Sequence, residues 1–324
     1  MRKPRIGLLL GDPSGVGPEL VAKLLALPES REAAEITVIG SRRIYEEGLK
    51  RVPLTDSHPQ LLCIDTPISE YPVGRVNAES GRYVLESLRV AVTALQSNEI
   101  EAIVFAPLNK QAMKLAGLQH RDELHYFAEL IGHTGPVSEI NVGTKFWTSR
   151  VTSHVPFREI AFLLTREKIY DAALLLDAAL RTAGIVSPRI AIAGLNPHGG
   201  EGGTLGTEEM TIIGPAVDMA RDTGMNASGP WPADTLFFRA SRGEFDGVVT
   251  MYHDQGQIAL KLLNFDRGVT LAGGLPFTIA TPAHGTAFDI AGKGTADVGS
   301  LREALSLAAR IEANRLQALI HAAI

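Results

Sequence analysis

The chain has 324 residues, 45% of them hydrophobic and 21% charged, and a formal net charge of −5. A chain of that length buries a sizeable core without covalent staples. Its acidic balance gives no electrostatic case for nucleic acid or an anionic membrane as partner. The single cysteine, Cys63, excludes an internal disulfide and fits a reducing compartment, so a cytoplasmic location is expected. No segment approaches the roughly 18 apolar residues of a membrane span. The apolar run that follows the basic start, Ile6 to Leu10, is too short for a signal peptide.

Taken in chain order, Ile6–Leu10 reads as a buried strand ending in the glycine-rich turn Gly11–Glu19, and the apolar periodicity of Leu20–Leu27 then predicts a helix. A second strand is predicted at Glu35–Gly40, with helices at Ser41–Lys50 and Ser80–Ser97. Ala102–Phe105 reads as a strand stopped by Ala106-Pro107-Leu108-Asn109-Lys110, with a helix from Glu123 to Leu130. Further strands are predicted at Arg189–Ala193, Gly247–Met251 and Thr278–Ala280. Helices are predicted at Ile169–Thr182, Glu208–Arg221 and Ser300–Ala323. Gly224–Asp234, rich in Gly, Pro and Asn, reads as a long loop. Strands alternating with helices indicate parallel βαβ units with helices on both faces. With no linker, two α/β/α domains that share or cross back over one sheet are expected.

Three histidines stand in polar, turn-rich stretches that each follow an apolar, strand-like run: Thr152-Ser153-His154-Val155-Pro156, Asn196-Pro197-His198-Gly199-Gly200 and Tyr252-His253-Asp254-Gln255-Gly256. Ligands of parallel sheets bind beyond the carboxyl ends of strands. Three imidazoles there form the ligand set of a catalytic divalent metal, with coordination positions left for substrate. Asp254 beside His253 can fix its tautomer. The turn Gly11–Glu19 resembles a phosphate cradle but lacks the Gly-Lys-Ser/Thr of a P-loop, so a simple tight turn explains it equally well. Asp12, a carboxylate at a strand end, is the better candidate there. His284–Gly294 is a small-residue loop ahead of the last helix, suited to a nucleotide or merely to a tight connection. Asp234 could cap a helix or sit in the site.

Together these segments resemble the 4-hydroxythreonine-4-phosphate dehydrogenase family of pyridoxal phosphate biosynthesis, nearly end to end. Leu195-Asn196-Pro197-His198 and Tyr252-His253-Asp254-Gln255-Gly256 carry the resemblance most specifically. His284–Gly294 is also similar to the adenine-side loop of isopropylmalate and isocitrate dehydrogenases. The resemblance implies a two-domain α/β/α subunit of that dehydrogenase fold, with a cleft between domains, residues 1–128 plus 268–324 on the nucleotide side and 129–267 carrying metal binding and dimerisation. It implies a homodimer that shares a metal site built from His154, His198 and His253, with zinc, magnesium, manganese or cobalt bound. Lys261 matches the family's substrate-binding lysine, and Asp234 and Asp254 lie near the site. NAD or NADP is the implied cofactor, taken up by His284, Gly285, Thr286, Asp289 and Gly292.

The chain departs from the family on the substrate side. Where the family carries Gly-His-Thr-Glu, this chain has Asp122-Glu123-Leu124-His125, so Glu123 and Leu124 replace the His-Thr pair. Thr270 replaces an Asn, and Ile279 replaces an Arg. Losing Arg removes a planar, bidentate anchor, and Glu123 is expected to repel a phosphate. The expected reaction is oxidation of a secondary hydroxyl of a small hydroxyacid with a nicotinamide cofactor (EC 1.1.1.-), followed by decarboxylation of the β-keto acid. The proton is carried by Lys261 with Asp254. Two other readings stay open: a dehydrogenase of a non-phosphorylated cis-diol or dihydrodiol carboxylate, and an inactive small-molecule binding protein.

Overall fold

The computed structural model describes residues 2–52, 62–64, 67–68, 70–264 and 267–322. Its strands are β1 (Arg5–Leu9), β2 (Glu35–Ile39), β3 (Leu62–Ile64), β4 (Ala102–Phe105), β5 (Ser138–Val142), β6 (Trp147–Arg150), β7 (Arg189–Ala193), β8 (Asn226–Trp231), β9 (Gly247–Thr250), β10 (Val269–Gly273) and β11 (Thr278–Pro282). The chain divides into two compact units. One is Met1–Gly135 with Val269–Leu271 and Leu275–Ile324, and the other is Pro136–Gly268 with Ala272–Gly274.

In the first unit the strand order is β3-β2-β1-β4-β11-β10. All of these pairs are parallel except β10 with β11. Leu8 lies opposite Val38 on one side and Val104 on the other. β4 is buried along its whole length, which is why Ala102-Ile103-Val104-Phe105 is an unbroken apolar run rather than an alternating one. Helix Ala78–Gln96, capped by the Asn77 side chain on the Ser80 N–H at 2.8 Å, packs on β1, β2 and β4. Helix Gly299–Ala322 packs on β4 and β11. It matches the predicted Ser300–Ala323 closely; Ala323 lies outside the described residues.

In the second unit the order is β5-β6-β9-β7-β8, parallel except for β5 with β6. Helix Arg166–Thr182 covers β5, β6, β7 and β9, while helix His253–Asn264 packs on β6 and β9. The unit's core includes the buried cluster of Phe146, Ala191, Ala193, Leu236, Ala240, Phe245, Val248 and Leu260.

Two sequence expectations are corrected. Gly224–Asp234 is not a long loop, because it contains β8 and the start of helix Ala233–Ser241. The strand tolerates Pro230 because it is last in the order and bonds only to β7. Gly229 has φ +142°, and a Cβ there would stand 2.4 Å from the Ile192 carbonyl oxygen. Glycine is needed for this close approach, not for a turn. Gly229→Ala is therefore expected to destabilise the protein by about 1–3 kcal/mol; urea unfolding checks this, and an unchanged midpoint would refute it. The second correction is Glu208–Arg221. It is not one regular helix but a π-helical turn, Glu209–Ile213, running into helix Gly214–Asp222.

Candidate metal centre and its surroundings

β6, β9 and β7 are consecutive parallel neighbours. The loops carrying His154, His253 and His198 therefore leave the same edge of the second unit, at the carboxyl ends of its strands. Two of these loops are fastened together. Val151 N–H donates to the Thr250 carbonyl at 2.9 Å, and the Thr152 N–H and hydroxyl both donate to the Met251 carbonyl, at 3.2 and 2.8 Å. Beneath them the buried Arg150 donates to Ser153 Oγ at 2.9 Å and to Asn141 Oδ1 at 2.7 Å, and it pairs with Glu139. The His154 and His253 rings end 5.3 Å apart, centroid to centroid. Asp254 Oδ1 lies 2.7 Å from His253 Nδ1. That contact orients the ring and leaves Nε2 for another partner.

His154 and His198 have φ of +53° and +54°. A left-handed backbone is uncommon outside glycine and costs energy that the surrounding structure must supply. At His198 this is part of a longer device: His198, Gly199, Gly200, Glu201 and Gly202 are all left-handed in succession. The glycine density of this stretch thus has a backbone reason. The loop is tied down by Glu209, which is 3% exposed. Its Oε1 accepts the Leu195 and Asn196 N–H groups at 2.8 and 2.7 Å, and its Oε2 accepts Asn196 Nδ2 at 2.9 Å. Gln255 links this loop to the next one: its Oε1 accepts the Met251 N–H at 2.7 Å and its Nε2 donates to the Gly194 carbonyl at 2.8 Å.

The structure thus brings His154 and His253 together, with His198 on the neighbouring strand end. Among the described residues, no three His, Cys, Asp or Glu side chains of the chain gather into a metal-sized group. The donor chemistry of the pair, two imidazoles with one held by a carboxylate, fits two positions of a divalent ion that prefers nitrogen ligands. Lys261 is exposed on the helix that His253 begins, about 12 Å further along the axis at 1.5 Å per residue. Asp254, seven residues before Lys261, shares its helix face. Asp234 is exposed in the first turn of helix Ala233–Ser241. It is not the cap that its sequence position suggested, because Pro232 holds that place and no side-chain capping bond forms there.

The substrate-side positions lie in the first unit. Asp122 caps helix Glu123–Ile131 through the His125 N–H at 3.0 Å and contacts His125 Nδ1 at 2.5 Å. Glu123 Oε2 lies 3.4 Å from Lys110 Nζ. Glu123 thus has a cation beside it, which its sequence position did not indicate. Leu124 and Ile279 are 5% and 1% exposed. Both belong to the buried apolar core of this structure. Thr270 is half-buried on β10, opposite Thr281.

The loop predicted for the cofactor folds onto the first glycine turn. Thr286 is buried, and its carbonyl accepts the Val16 N–H at 3.0 Å. Glu19, 2% exposed, accepts the Gly294 and Ala296 N–H groups at 3.0 and 2.8 Å. Gly292 joins Pro13, Gly15, Glu47, Arg51 and Tyr71 in lining a cavity. His284, Gly285 and Asp289 are exposed, with His284 Nδ1 3.0 Å from the Gly285 carbonyl. Asp12 is wholly buried, and its Oδ1 accepts the Ser14 N–H at 2.8 Å. Its Oδ2 has no hydrogen-bond partner among the described residues. Burial, only partly offset by the Ser14 N–H, pushes its pKa up to about 6.

Sequence reasoning missed Glu209, Glu19 and Arg150. Glu209 opens an apolar periodic run and Glu19 precedes another. An acidic residue at a helix start is ordinary dipole chemistry, so no local signal separated these from their neighbours.

Comparisons with known proteins follow the same outline. The family model described as "Pyridoxal phosphate biosynthetic protein PdxA" matches residues 25–308. A Pseudomonas aeruginosa protein named "Putative 4-hydroxythreonine-4-phosphate dehydrogenase 2" is 48% identical over 326 residues, covering 95% of this chain and 97% of the relative. The 4-hydroxythreonine-4-phosphate dehydrogenase of Desulforapulum autotrophicum is 38% identical, covering 95% of each chain. The crystal structure of the enzyme of that name from Klebsiella pneumoniae superposes with a TM-score of 0.84 at 35% identity, over 95% of this chain and 98% of that one. The expected mixed α/β fold is the one these structures share.

Proposed function

The chain belongs to the family of the pyridoxal phosphate biosynthetic protein PdxA, and from that premise we propose that it is a metal-dependent, nicotinamide-linked dehydrogenase. It oxidises the secondary hydroxyl of a small hydroxyacid of the 4-hydroxythreonine 4-phosphate type. The observation that carries the reading is the approach of His154 and His253 to 5.3 Å, with Asp254 on the Nδ1 of His253. His154, His253 and His198 would hold a divalent ion, with zinc suiting the nitrogen donors. When bound, the ion supplies a Lewis acid at the substrate hydroxyl and the nicotinamide supplies the hydride acceptor.

The chain's own groups do the rest. Lys261 takes the hydroxyl proton, with Asp254 on the same helix face as a second acid–base group. Where the product is a β-keto acid that loses its carboxylate as carbon dioxide, Lys261 returns a proton to the enolate. Thr286, Gly292 and their neighbours in the 284–294 loop receive the adenine side of NAD or NADP, a reading supported by the cavity that Gly292 lines.

The third ligand position motivates a homodimer with a shared site. Its support is the exposed apolar surface on the segments that carry the histidine pair. Phe157, Phe162, Ile258 and Leu262 are 75%, 88%, 61% and 82% exposed, and Phe157 packs edge-on against Tyr252 beside His253. A solvated monomer has little reason to show so much apolar area next to its site.

The test is reduction of NAD or NADP by purified protein supplied with 4-hydroxythreonine 4-phosphate, before and after chelation. Chelation should lower the rate by at least about 100-fold, and zinc, manganese or magnesium should restore it. A rate indifferent to chelator would sink the metal, and no reduction of either cofactor with any hydroxyacid would sink the dehydrogenase.

A further inference from the structure

We propose that Glu209 is the positioning residue of the metal site, setting where His198 stands without touching a ligand. The inference rests on the reading of the three histidines as ligands. It starts from what holds His198. The side chain is exposed, and its ring makes no hydrogen bond among the described residues, so the backbone alone places it. That backbone is five left-handed residues in a row, from His198 to Gly202, an arrangement L-residues do not hold by themselves.

Glu209 makes the most contacts of the side chains that clamp the strand end feeding this turn, beside Gln255 and Glu208. Glu209 Oε1 takes the N–H groups of both Leu195 and Asn196, at 2.8 and 2.7 Å, and its Oε2 takes the Asn196 side chain at 2.9 Å. The turn also closes directly over the carboxylate. A Cβ on Gly200 would lie 2.6 Å from Glu209 Oε2, and one on Gly194 would lie 3.2 Å from Oε1. Glu209 itself begins the π-helical turn Glu209–Ile213. Such turns are uncommon and often stand at functional sites. Glu208 reinforces the clamp through a second bond to Asn196 Nδ2 at 2.7 Å. A carboxylate that fixes a ligand-bearing loop through its backbone stands in the same relation to a metal as the outer partners that orient ligating histidines.

The test is zinc affinity of the full-length wild type and of the Glu209→Ala and Glu209→Gln variants by calorimetry, together with KM for the nicotinamide cofactor. Glu209→Ala should bind zinc about 10–100-fold more weakly with the cofactor KM unchanged. Glu209→Gln, which keeps one carbonyl for the two backbone N–H groups, should recover most of the affinity. A purely structural role would lower thermal stability and leave zinc affinity alone. Should the alanine variant not fold, hydrogen exchange of the wild-type protein decides: the Leu195 and Asn196 amides should be strongly protected, and exchange at the rate of an open loop would overturn the clamp. A wild type that takes up no zinc sinks the histidine reading and Glu209's role with it. A wild type that takes up zinc and a Glu209→Ala variant that matches it sink Glu209 alone.

Discussion

His253→Ala is expected to lose bound metal and to lower kcat by about 10³-fold, the two effects together. A Lewis acid at a developing alkoxide is worth several kcal/mol, and each 1.36 kcal/mol is a factor of ten. His253 supplies one of the two imidazoles that the chain brings within 5.3 Å. Its Nδ1 also lies 2.7 Å from Asp254, whose side chain is 74% exposed. The substitution is conservative for the fold: His253 is the first residue of its helix and only half-buried, and alanine is the best helix former. Metal analysis of dialysed protein beside steady-state NAD(P)H formation checks the prediction. A variant that kept both its zinc and its turnover would remove His253 from the site. One that lost turnover but kept zinc would make it a substrate-side residue instead.

Asp12→Asn is expected to stabilise the protein, and more so as the pH rises. The native Asp12 titrates near 6 against an ordinary 3.8, so the folded state binds its proton more tightly than the unfolded state. Its favourable contribution is therefore full below the unfolded value and is lost as pH rises through the folded one. A shift of that size at 1.36 kcal/mol per unit amounts to about 3 kcal/mol at pH 8. Asparagine keeps the oxygen that accepts the Ser14 N–H at 2.8 Å and carries no charge to bury. About half of the penalty has set in by pH 5, so the gain should widen by about 1.4 kcal/mol between pH 5 and pH 8. Chemical denaturation of both proteins at the two pH values measures it. A gain equal at both, or a loss at pH 8, would mean that Asp12 is not an ionisable liability in the native state.

The strands that were legible in the sequence are those buried on both faces. β1, β4, β7 and β9 are short apolar runs that end in turn residues, and the three histidine motifs follow strands that proved to be parallel neighbours. Of the antiparallel pair β10 and β11, only β11 was read, at Thr278–Ala280, and the last strand in the order, β8, was not read. β8 is composed of Asn, Gly and Pro as much as of apolar residues, and β5 and β10 lack the unbroken apolar run that marks the doubly buried strands. Within the site, the side chains with distinctive chemistry could be read directly, but the groups that hold them could not. Glu209 and Glu19 are ordinary acids at helix starts until folding buries them. On the substrate side, Glu123 read alone suggested a bare negative charge, and only three-dimensional proximity supplies Lys110 at 3.4 Å.

Glu19 and Glu209 solve one problem twice. Each is a buried acid that captures two consecutive or near-consecutive backbone N–H groups of a glycine-rich loop, at Gly294 and Ala296 in one unit and at Leu195 and Asn196 in the other. A grip on main-chain atoms is indifferent to the side chains the loop carries. Loop shape and loop chemistry are thereby separable in this fold: residues facing a ligand can be exchanged while the scaffold that presents them keeps its form. For engineering, this suggests leaving the two glutamates and the glycines untouched and varying everything between them.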